Sequence, residues 1–187
     1  MWYILIFVVF LVLGMASALG ENKKGTKNAI ERQNTIIETK KIHMSKDIGY
    51  TVAYKQKLRF VVDDSNKMVH FFTAHNQYDI PYDQLMGCEL NYNGEIVGQT
   101  KRAIVGSILA GGTGAIIGAL TAKKEEAHIM LKVFQNSISN PLICFELLNA
   151  SEDGPLCAKD EGAKQQAVEF ANEVIATINV ILKNYQS

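Results

Sequence analysis

Residues 58–74, LRFVVDDSNKMVHFFTA, decide the fold class of this chain of 187 residues. Two runs rich in β-branched and aromatic residues, Leu58–Val62 and Met68–Ala74, flank the polar sequence Asp63-Asp64-Ser65-Asn66. Strand-forming runs on both sides of a tight-turn composition predict an antiparallel hairpin. The sequence on either side of this hairpin can therefore be examined for further strands of the same sheet.

Five more strand-like runs follow the hairpin: Tyr78–Pro81, Leu85–Tyr92, Glu95–Gly98, Ala127–Phe134 and Leu142–Leu148. The dipeptide Asn93-Gly94 tolerates positive φ at both positions, which is typical of a type I′ turn between two paired strands. Pro141 comes just before the last strand, where a missing N–H is tolerated. About seven short antiparallel strands are expected.

The last predicted element is a helix from about Asp160 to Tyr185. Apolar residues recur in it at steps of three and four, which predicts a stripe that covers a sheet. Strands followed by one amphipathic helix indicate an α+β domain over residues 43–187. We expect an antiparallel β-barrel or a strongly bent sheet, capped by this C-terminal helix.

A glycine-rich, uncharged run, residues 103–122, separates the fifth of the seven strand-like runs, Glu95–Gly98, from the sixth, Ala127–Phe134. Small residues recur at every fourth position, the spacing that lets helix backbones approach closely in lipid: Gly106, Ala110, Gly114, Gly118 and Ala122. If the flanking strands share one sheet, a single membrane crossing is excluded. We therefore expect a helical hairpin insert over residues 101–124, turning at Gly111 and Gly112, where glycine permits the turn.

Basic residues border this run: Lys101 and Arg102 before it, Lys123 and Lys124 after it. In a hairpin all four lie at one surface, where they would contact anionic lipid headgroups. Three packings of the small-residue stripe stay open. The hairpin enters the lipid as a re-entrant wedge, or packs against the N-terminal apolar segment, or packs on protein, either its own sheet or a second copy.

The amino terminus carries a second apolar segment, since residues 2–20 contain no charge. Its length suits a membrane-spanning helix, with Trp2 and Tyr3 as interface anchors. Ala16-Ser17-Ala18 alternatively fits the cleavage site of a signal peptide. We expect residues 1–20 to be a single-pass anchor and residues 21–42 a polar tether. The lysines that follow the anchor favour a cytoplasmic domain; cleavage would make it secreted or periplasmic.

The composition excludes several functional classes. Lys plus Arg equals Asp plus Glu at 19 each, so we expect no nucleic-acid partner. The three cysteines show no metal-ligand or disulfide spacing, and Cys88 and Cys144 lie in apolar runs where we expect buried thiols. The four histidines form no metal motif. We therefore expect no cofactor, no metal and no catalytic residues.

Several short sequences together resemble a known family. They are Phe60-Val61-Val62-Asp63-Asp64, Ile80-Pro81-Tyr82-Asp83-Gln84-Leu85, the insert Ala103–Leu120, and Ser139-Asn140-Pro141. In this order they resemble uncharacterised bacterial and phage proteins with a pleckstrin-homology-like (PH-like) domain and a glycine-rich insert. Some members end in a short SHOCT tail, which this sequence lacks. The resemblance implies a PH-like fold near a membrane and no established activity.

The expected function is a non-enzymatic, membrane-anchored binding or scaffold module. Its expected partners are membrane lipid and, alternatively, a second copy or another protein. One alternative is a stress- or phage-related protein whose glycine zipper inserts into the bilayer and perturbs it. Another is a secreted domain after signal-peptide cleavage, and an enzyme is the third.

Overall fold

The computed structural model describes residues 25–52, 55–100 and 125–185. Helix α1 covers residues 25–39 of the described part. The strands are β1 (Lys46–Val52), β2 (Lys55–Asp63), β3 (Met68–Phe72), β4 (Gln77–Pro81), β5 (Leu85–Tyr92), β6 (Glu95–Gln99), β7 (Ile129–Gln135) and β8 (Leu142–Leu148). Three further helices follow: α2 (Ala150–Asp153), α3 (Pro155–Lys159) and α4 (Glu161–Tyr185).

The strands form two four-stranded antiparallel sheets. Sheet A has the order β1-β2-β3-β4, and sheet B has the order β6-β5-β7-β8. The predicted hairpin at the start of the domain is confirmed, since β2 pairs with β3 and Asp63 lies opposite Met68. The predicted Asn93-Gly94 turn is confirmed as well, with φ of 49° and 89° at its two residues. The fold is therefore α+β, consistent with a PH-like domain.

Strand β1 is one strand more than the sequence analysis predicts. Its residues alternate between inward Ile48, Tyr50 and Val52 and exposed positions, but the run contains only these three large apolar residues. In sheet A it pairs with β2 along its whole length. Its inward residues Tyr50 and Val52 are buried in the core.

Aromatic side chains join the two sheets in the core. Phe71 of β3 packs on Phe60 of β2 and on Phe145 of β8, each with ring centroids 4.9 Å apart. Helix α4 is amphipathic as predicted, and its Phe170 stacks on Tyr50 of β1 at 5.3 Å. Helix α4 also buries Val174 fully among the core residues. The helix is thus an integral part of the core.

The barrel alternative is not found in the described part of the chain. The two sheets end at β1 and β4 and at β6 and β8, and no backbone ladder joins one sheet to the other. Side-chain packing between the sheets replaces the hydrogen bonds that would close a barrel.

Helix α1 packs on the outer face of sheet A. Ile37 is buried with Val61 and Phe72, which form a small apolar cluster on that face. The side-chain amide of Gln33 donates to the Thr73 carbonyl at 3.1 Å. Because β2 and β3 place apolar side chains on both faces of sheet A, another element must shield the outer face from water. The described part of the predicted tether over residues 21–42 is therefore a helix and a short connection packed on the domain.

Two predicted elements, the N-terminal hydrophobic helix and the glycine-rich hairpin, lie outside the described residues. Among the helices that are described, none combines the length and the apolar character needed to cross a membrane.

Candidate functional site

The residues predicted to form the site lie outside the described part of the chain: Trp2, Tyr3, Lys101, Arg102, Gly106, Ala110, Gly111, Gly112, Gly114, Gly118, Ala122, Lys123 and Lys124. The structure does describe the residues to which this insert is attached. These two attachments, one leading into the insert and one returning from it, define the candidate site.

The leading attachment is Thr100, directly after β6. Thr100 is fully buried, and its backbone N–H donates to the Cys88 carbonyl at 2.9 Å. The Cys88 N–H in turn donates to the Thr100 hydroxyl oxygen at 3.1 Å. The chain is therefore held to the middle of β5 up to the residue before the insert.

The returning attachment is formed by residues 126–128, just before β7. Ala127 is buried, with 1% of its surface exposed. Its N–H donates to the Ala158 carbonyl of α3 at 3.0 Å. The His128 N–H donates to the side-chain oxygen of Asn93 at 2.7 Å, and the carboxylate of Glu126 pairs with Lys159 at 3.2 Å. This attachment thus binds both the β5–β6 turn and α3.

Both attachments belong to sheet B, on opposite sides of β5. Thr100 is level with Cys88, whereas Ile129 of β7 is level with Tyr92. Four residues along a strand, about 13 Å, and two strand spacings, about 10 Å, place Thr100 and Ile129 roughly 16 Å apart. The insert therefore connects two parallel strands, β6 and β7, of one sheet.

A buried ion pair lies beside the returning attachment. The Lys57 ammonium contacts Asp153 at 2.8 Å and Glu152 at 2.9 Å, and the Asp153 side chain is fully buried. Burial acts to lower the pKa of Lys57, but hydrogen bonds and charge attraction from the two carboxylates outweigh it and raise the pKa. Burial and the nearby Asp153 charge raise the pKa of Tyr50. These groups fix α2 to sheet A.

A cavity of about 630 Å³ opens between α1, sheet A and β8. Its lining includes Gly25 and Thr26 at the start of the described part of α1, Lys57, Glu146 of β8 and Glu152 of α2. Because Lys57 is already engaged by two carboxylates, it is not available to bind an anion there.

Two histidines elsewhere are paired with carboxylates. His70 contacts Asp79 at 2.8 Å and His128 contacts Glu146 at 3.1 Å. Within the ranges that the structure describes, no group of three or more His, Cys, Asp or Glu side chains could hold a metal ion.

The two cysteines predicted to be buried differ. Cys88 is fully buried, and burial, with the neighbouring Glu89 charge, raises the pKa of its thiol. The prediction for Cys144 is wrong, because its side chain is exposed on the outer face of edge strand β8.

Sequence comparison finds two relatives from the same phage lineage. The chain is 27% identical over 143 residues to a protein of Bacillus phage SPbeta named "Immunity protein", covering 70% of this chain and 71% of the relative. It is also 27% identical over 143 residues to the SPbeta prophage-derived uncharacterized membrane protein YomJ of Bacillus subtilis (strain 168). Here 70% of this chain matches 63% of the relative, so the chain spans less than two thirds of that protein. No solved structure matches the chain.

Residues 32–149 match a family described as "glycine zipper containing PH domain". The matched range runs from the middle of α1 to the end of β8, and it includes both attachments of the insert. The match covers both sheets and the glycine-rich insert but not α4, and it says nothing of a SHOCT association. This chain belongs to the family of glycine zipper containing PH domains.

Proposed function

We propose that this protein is a non-enzymatic binding or scaffold module whose PH-like domain holds a glycine-zipper insert at one membrane surface. The observation that carries the proposal is that β6 and β7, the strands that precede and follow the insert, belong to the same sheet. A chain that leaves and returns to one sheet crosses a bilayer an even number of times or enters it from one side.

A re-entrant hairpin satisfies this requirement. Each arm of about eight residues reaches about 12 Å at helical rise, with the turn at Gly111 and Gly112. Packed helices lie about 8–10 Å apart, closer than the roughly 16 Å between Thr100 and Ile129. Extended residues at each end of the insert would bridge the difference. The stripe through Gly106, Gly114 and Gly118 would then pack arm on arm, so that the backbone polar groups are not left facing hydrocarbon.

The charges beside the insert support the same arrangement. Lys101 and Arg102 follow Thr100 directly, and Lys123 and Lys124 lie within four residues of Ala127. Each would gain about 1 kcal/mol beside anionic lipid. Residues 1–20, with Trp2 and Tyr3 at the interface, would act as a single-pass anchor that leaves the domain on the cytoplasmic side. The relative named a membrane protein supports membrane association of this chain.

Co-sedimentation of the full chain with vesicles tests the proposal. We expect it to bind vesicles of phosphatidylethanolamine and phosphatidylglycerol and to release no enclosed dye. Replacing Gly114 and Gly118 by Leu should make the insert accessible to protease on these vesicles. The control replaces Ala115 and Ala119 by Leu, which adds bulk one position off the stripe. A chain that stays in the supernatant would contradict the proposal.

Dye release separates the scaffold from a membrane-active protein. If the glycine zipper perturbs the bilayer, the full chain will release dye and damage cell membranes on expression, and the Gly114→Leu, Gly118→Leu variant will do neither. Equal damage by the variant and the unmodified chain would show that the glycine zipper does not cause the damage.

An immunity role is the second candidate, favoured by the name of the phage relative. In this role the module would protect the cell that makes it. Survival of susceptible Bacillus cells that express the chain, after exposure to SPbeta phage or to culture fluid of a strain that carries it, would support this role. Equal killing with and without the chain would exclude it for these two challenges.

A further inference from the structure

Strand β8 is an edge strand of sheet B, and its pairing with β7 shows which backbone groups lie at the free edge. The Gln135 N–H donates to the Pro141 carbonyl at 3.0 Å. From this pair the register continues without a shift to Glu146. In an antiparallel ladder, hydrogen-bonded residues alternate with residues whose N–H and C=O point the other way. Leu142, Cys144 and Glu146 therefore direct their backbone groups away from β7.

These outward backbone groups are unused within the part of the chain that the structure describes. No hydrogen bond there involves the main-chain N–H or C=O of Leu142, Cys144 or Glu146. The run between them also lacks the proline and lysine that protect many edge strands. By contrast, edge strand β4 ends in Pro81 and edge strand β1 begins with Lys46. The β8 edge is thus open to pairing with another strand.

The cavity of about 630 Å³ lies at this free edge. It touches side chains from both faces of β8, the exposed Cys144 and Glu146 and the inward Phe145, so it lies beside the strand rather than on one face. Ala29 of α1 and Ala74 of the β3–β4 turn line it as well. With these walls the cavity is a groove, which suits one extended chain better than the edge of a second sheet. Its volume is in the range of ligand pockets.

The two sides of this groove differ in chemistry. On the inner side, the Phe145 ring packs edge-on against Tyr78, with ring centroids 5.5 Å apart. On the outer side, Glu146 presents an exposed carboxylate. Side chains of an added strand alternate between these same two sides. Apolar residues of such a strand would face Phe145 and Tyr78, and the residues between them would face Glu146.

The fixed charges at the groove favour basic residues at the outward positions. Two carboxylates share the one ammonium of Lys57, so that cluster keeps one net negative charge. Glu146 adds a second, since its neighbour His128 is charged only when protonated. Arg32 lies nearby, with its guanidinium on the Ala74 carbonyl, but it does not line the cavity. The groove therefore attracts a cationic chain.

We infer that the free edge of β8 binds an extended segment of a partner protein as an added antiparallel strand, in which apolar and basic side chains alternate. Backbone hydrogen bonds to Cys144 and Glu146 would supply affinity, and the alternating side chains would supply specificity. The inference rests on the proposed binding role and adds the class of partner that the module would hold.

A synthetic peptide of seven alternating lysine and valine residues, lysine at both ends, is the probe. It is titrated into the full chain in a neutral detergent, and binding is measured by calorimetry. In an antiparallel pair, residues whose backbone groups face each other have side chains on the same side of the sheet. The lysine amides would therefore face β8 and the valine amides would face away. Peptides that carry N-methyl groups on the lysine amides or on the valine amides form a matched pair.

We expect the unmodified peptide to bind, methylation of its lysine amides to weaken binding at least tenfold, and methylation of its valine amides to change it less than threefold. Amide hydrogen exchange at Cys144 and Glu146 should slow several-fold when the peptide is bound. Glu146→Gln should weaken binding several-fold, whereas Glu95→Gln, at an exposed position of β6, should not.

Equal weakening by the two methylated peptides would overturn the inference, because it would exclude pairing through one set of amides. Slow exchange at Cys144 and Glu146 before any peptide is added would also overturn it, since another part of this chain or a second copy would then occupy the edge. If the peptide does not bind while the chain still sediments with vesicles, the β8 site is wrong and the proposed membrane association stands.

Discussion

Thr100 and Cys88 form two hydrogen bonds with each other in the core of the domain, one from each backbone N–H. The Thr100 N–H donates to the Cys88 carbonyl at 2.9 Å, and the Cys88 N–H donates to the Thr100 hydroxyl at 3.1 Å. The side chain thereby extends the pairing of β5 beyond the end of β6. This contact determines where the glycine-rich insert leaves the domain.

Replacing Thr100 by Val tests the hydroxyl of this contact. Valine keeps the shape but leaves the buried Cys88 N–H without its acceptor, which we expect to lower the free energy of unfolding by about 1–3 kcal/mol. Urea denaturation measures the change. Thr35→Val is the matched control, because the Thr35 hydroxyl bonds to a carbonyl on an exposed helix surface. Equal stability of the two variants would show that the Thr100 hydroxyl does not stabilise the attachment.

Lys57→Met should be among the more destabilising changes in the domain. It removes the only charge that the structure places in contact with the buried Asp153 carboxylate among the described residues, at 2.8 Å. Leaving one member of a buried pair uncompensated costs about 3–5 kcal/mol. The double variant Lys57→Met, Asp153→Leu should recover most of the loss in thermal or urea unfolding. If the double variant is as unstable as the single one, the destabilisation does not come from the unpaired carboxylate.

The free energy of unfolding at acidic pH depends on the carboxylate of Asp79. Burial acts to raise the pKa of Asp79, but hydrogen bonds from His70, Lys40 and Gln77 outweigh it and hold the pKa far below its usual value. Because the folded-state pKa is lowered, this stabilisation is full above the unfolded pKa near 4 and is lost as the pH falls below it.

Asp79→Asn should therefore be less stable than the unmodified protein by about 2 kcal/mol at pH 7. The difference should shrink at pH 3, measured by urea unfolding at both values. Asp83→Asn, at an exposed position of the next turn, is the control. A difference of the same size at both pH values would contradict the titration of Asp79 as its cause.

Ile37→Ala tests whether α1 is part of the domain. Ile37 is 6% exposed and packs with Val61 and Phe72, so its truncation should cost about 2–5 kcal/mol. Ile30, 39% exposed on the same helix, supplies the control Ile30→Ala. Both variants are compared by thermal unfolding and by hydrogen exchange of α1 amides. If α1 exchanges freely in the unmodified protein, its packing on sheet A does not persist in solution.

The strands that the sequence predicts share a clear local signal. Strands β2 and β3 are rich in β-branched and aromatic residues, and turn-forming residues mark where they end, so composition and turn chemistry predict them. Helix α4 follows from its apolar period of three and four. Strand β1 alternates regularly but has only three large apolar residues, Ile48, Tyr50 and Val52, so the signal is short. Helix α1 is also difficult to predict from the sequence. Its packing buries few residues, and one of them is the polar Gln33.

The attachments of the insert could not be read from the sequence. Thr100 bonds to a residue 12 positions earlier, and Lys57 pairs with Glu152, 95 positions later. Such contacts depend on the order of strands in the sheets, which periodicity does not determine. What the sequence does supply is the argument that strands on both sides of residues 103–122 share one sheet, and the structure confirms it, with β5 and β6 paired in sheet B beside β7 and β8.

The most direct test of the membrane-held insert is cysteine accessibility in intact membranes. Engineered cysteines at Glu95 and Ser139, both exposed and on opposite sides of the insert in the sequence, are compared with a cysteine at Gly112, all in a Cys144→Ser, Cys157→Ser background. We predict that positions 95 and 139 react with a membrane-impermeant reagent from the same side of the membrane, whereas position 112 reacts only after detergent is added. Labelling of position 112 as readily as the other two, without detergent, would contradict the account.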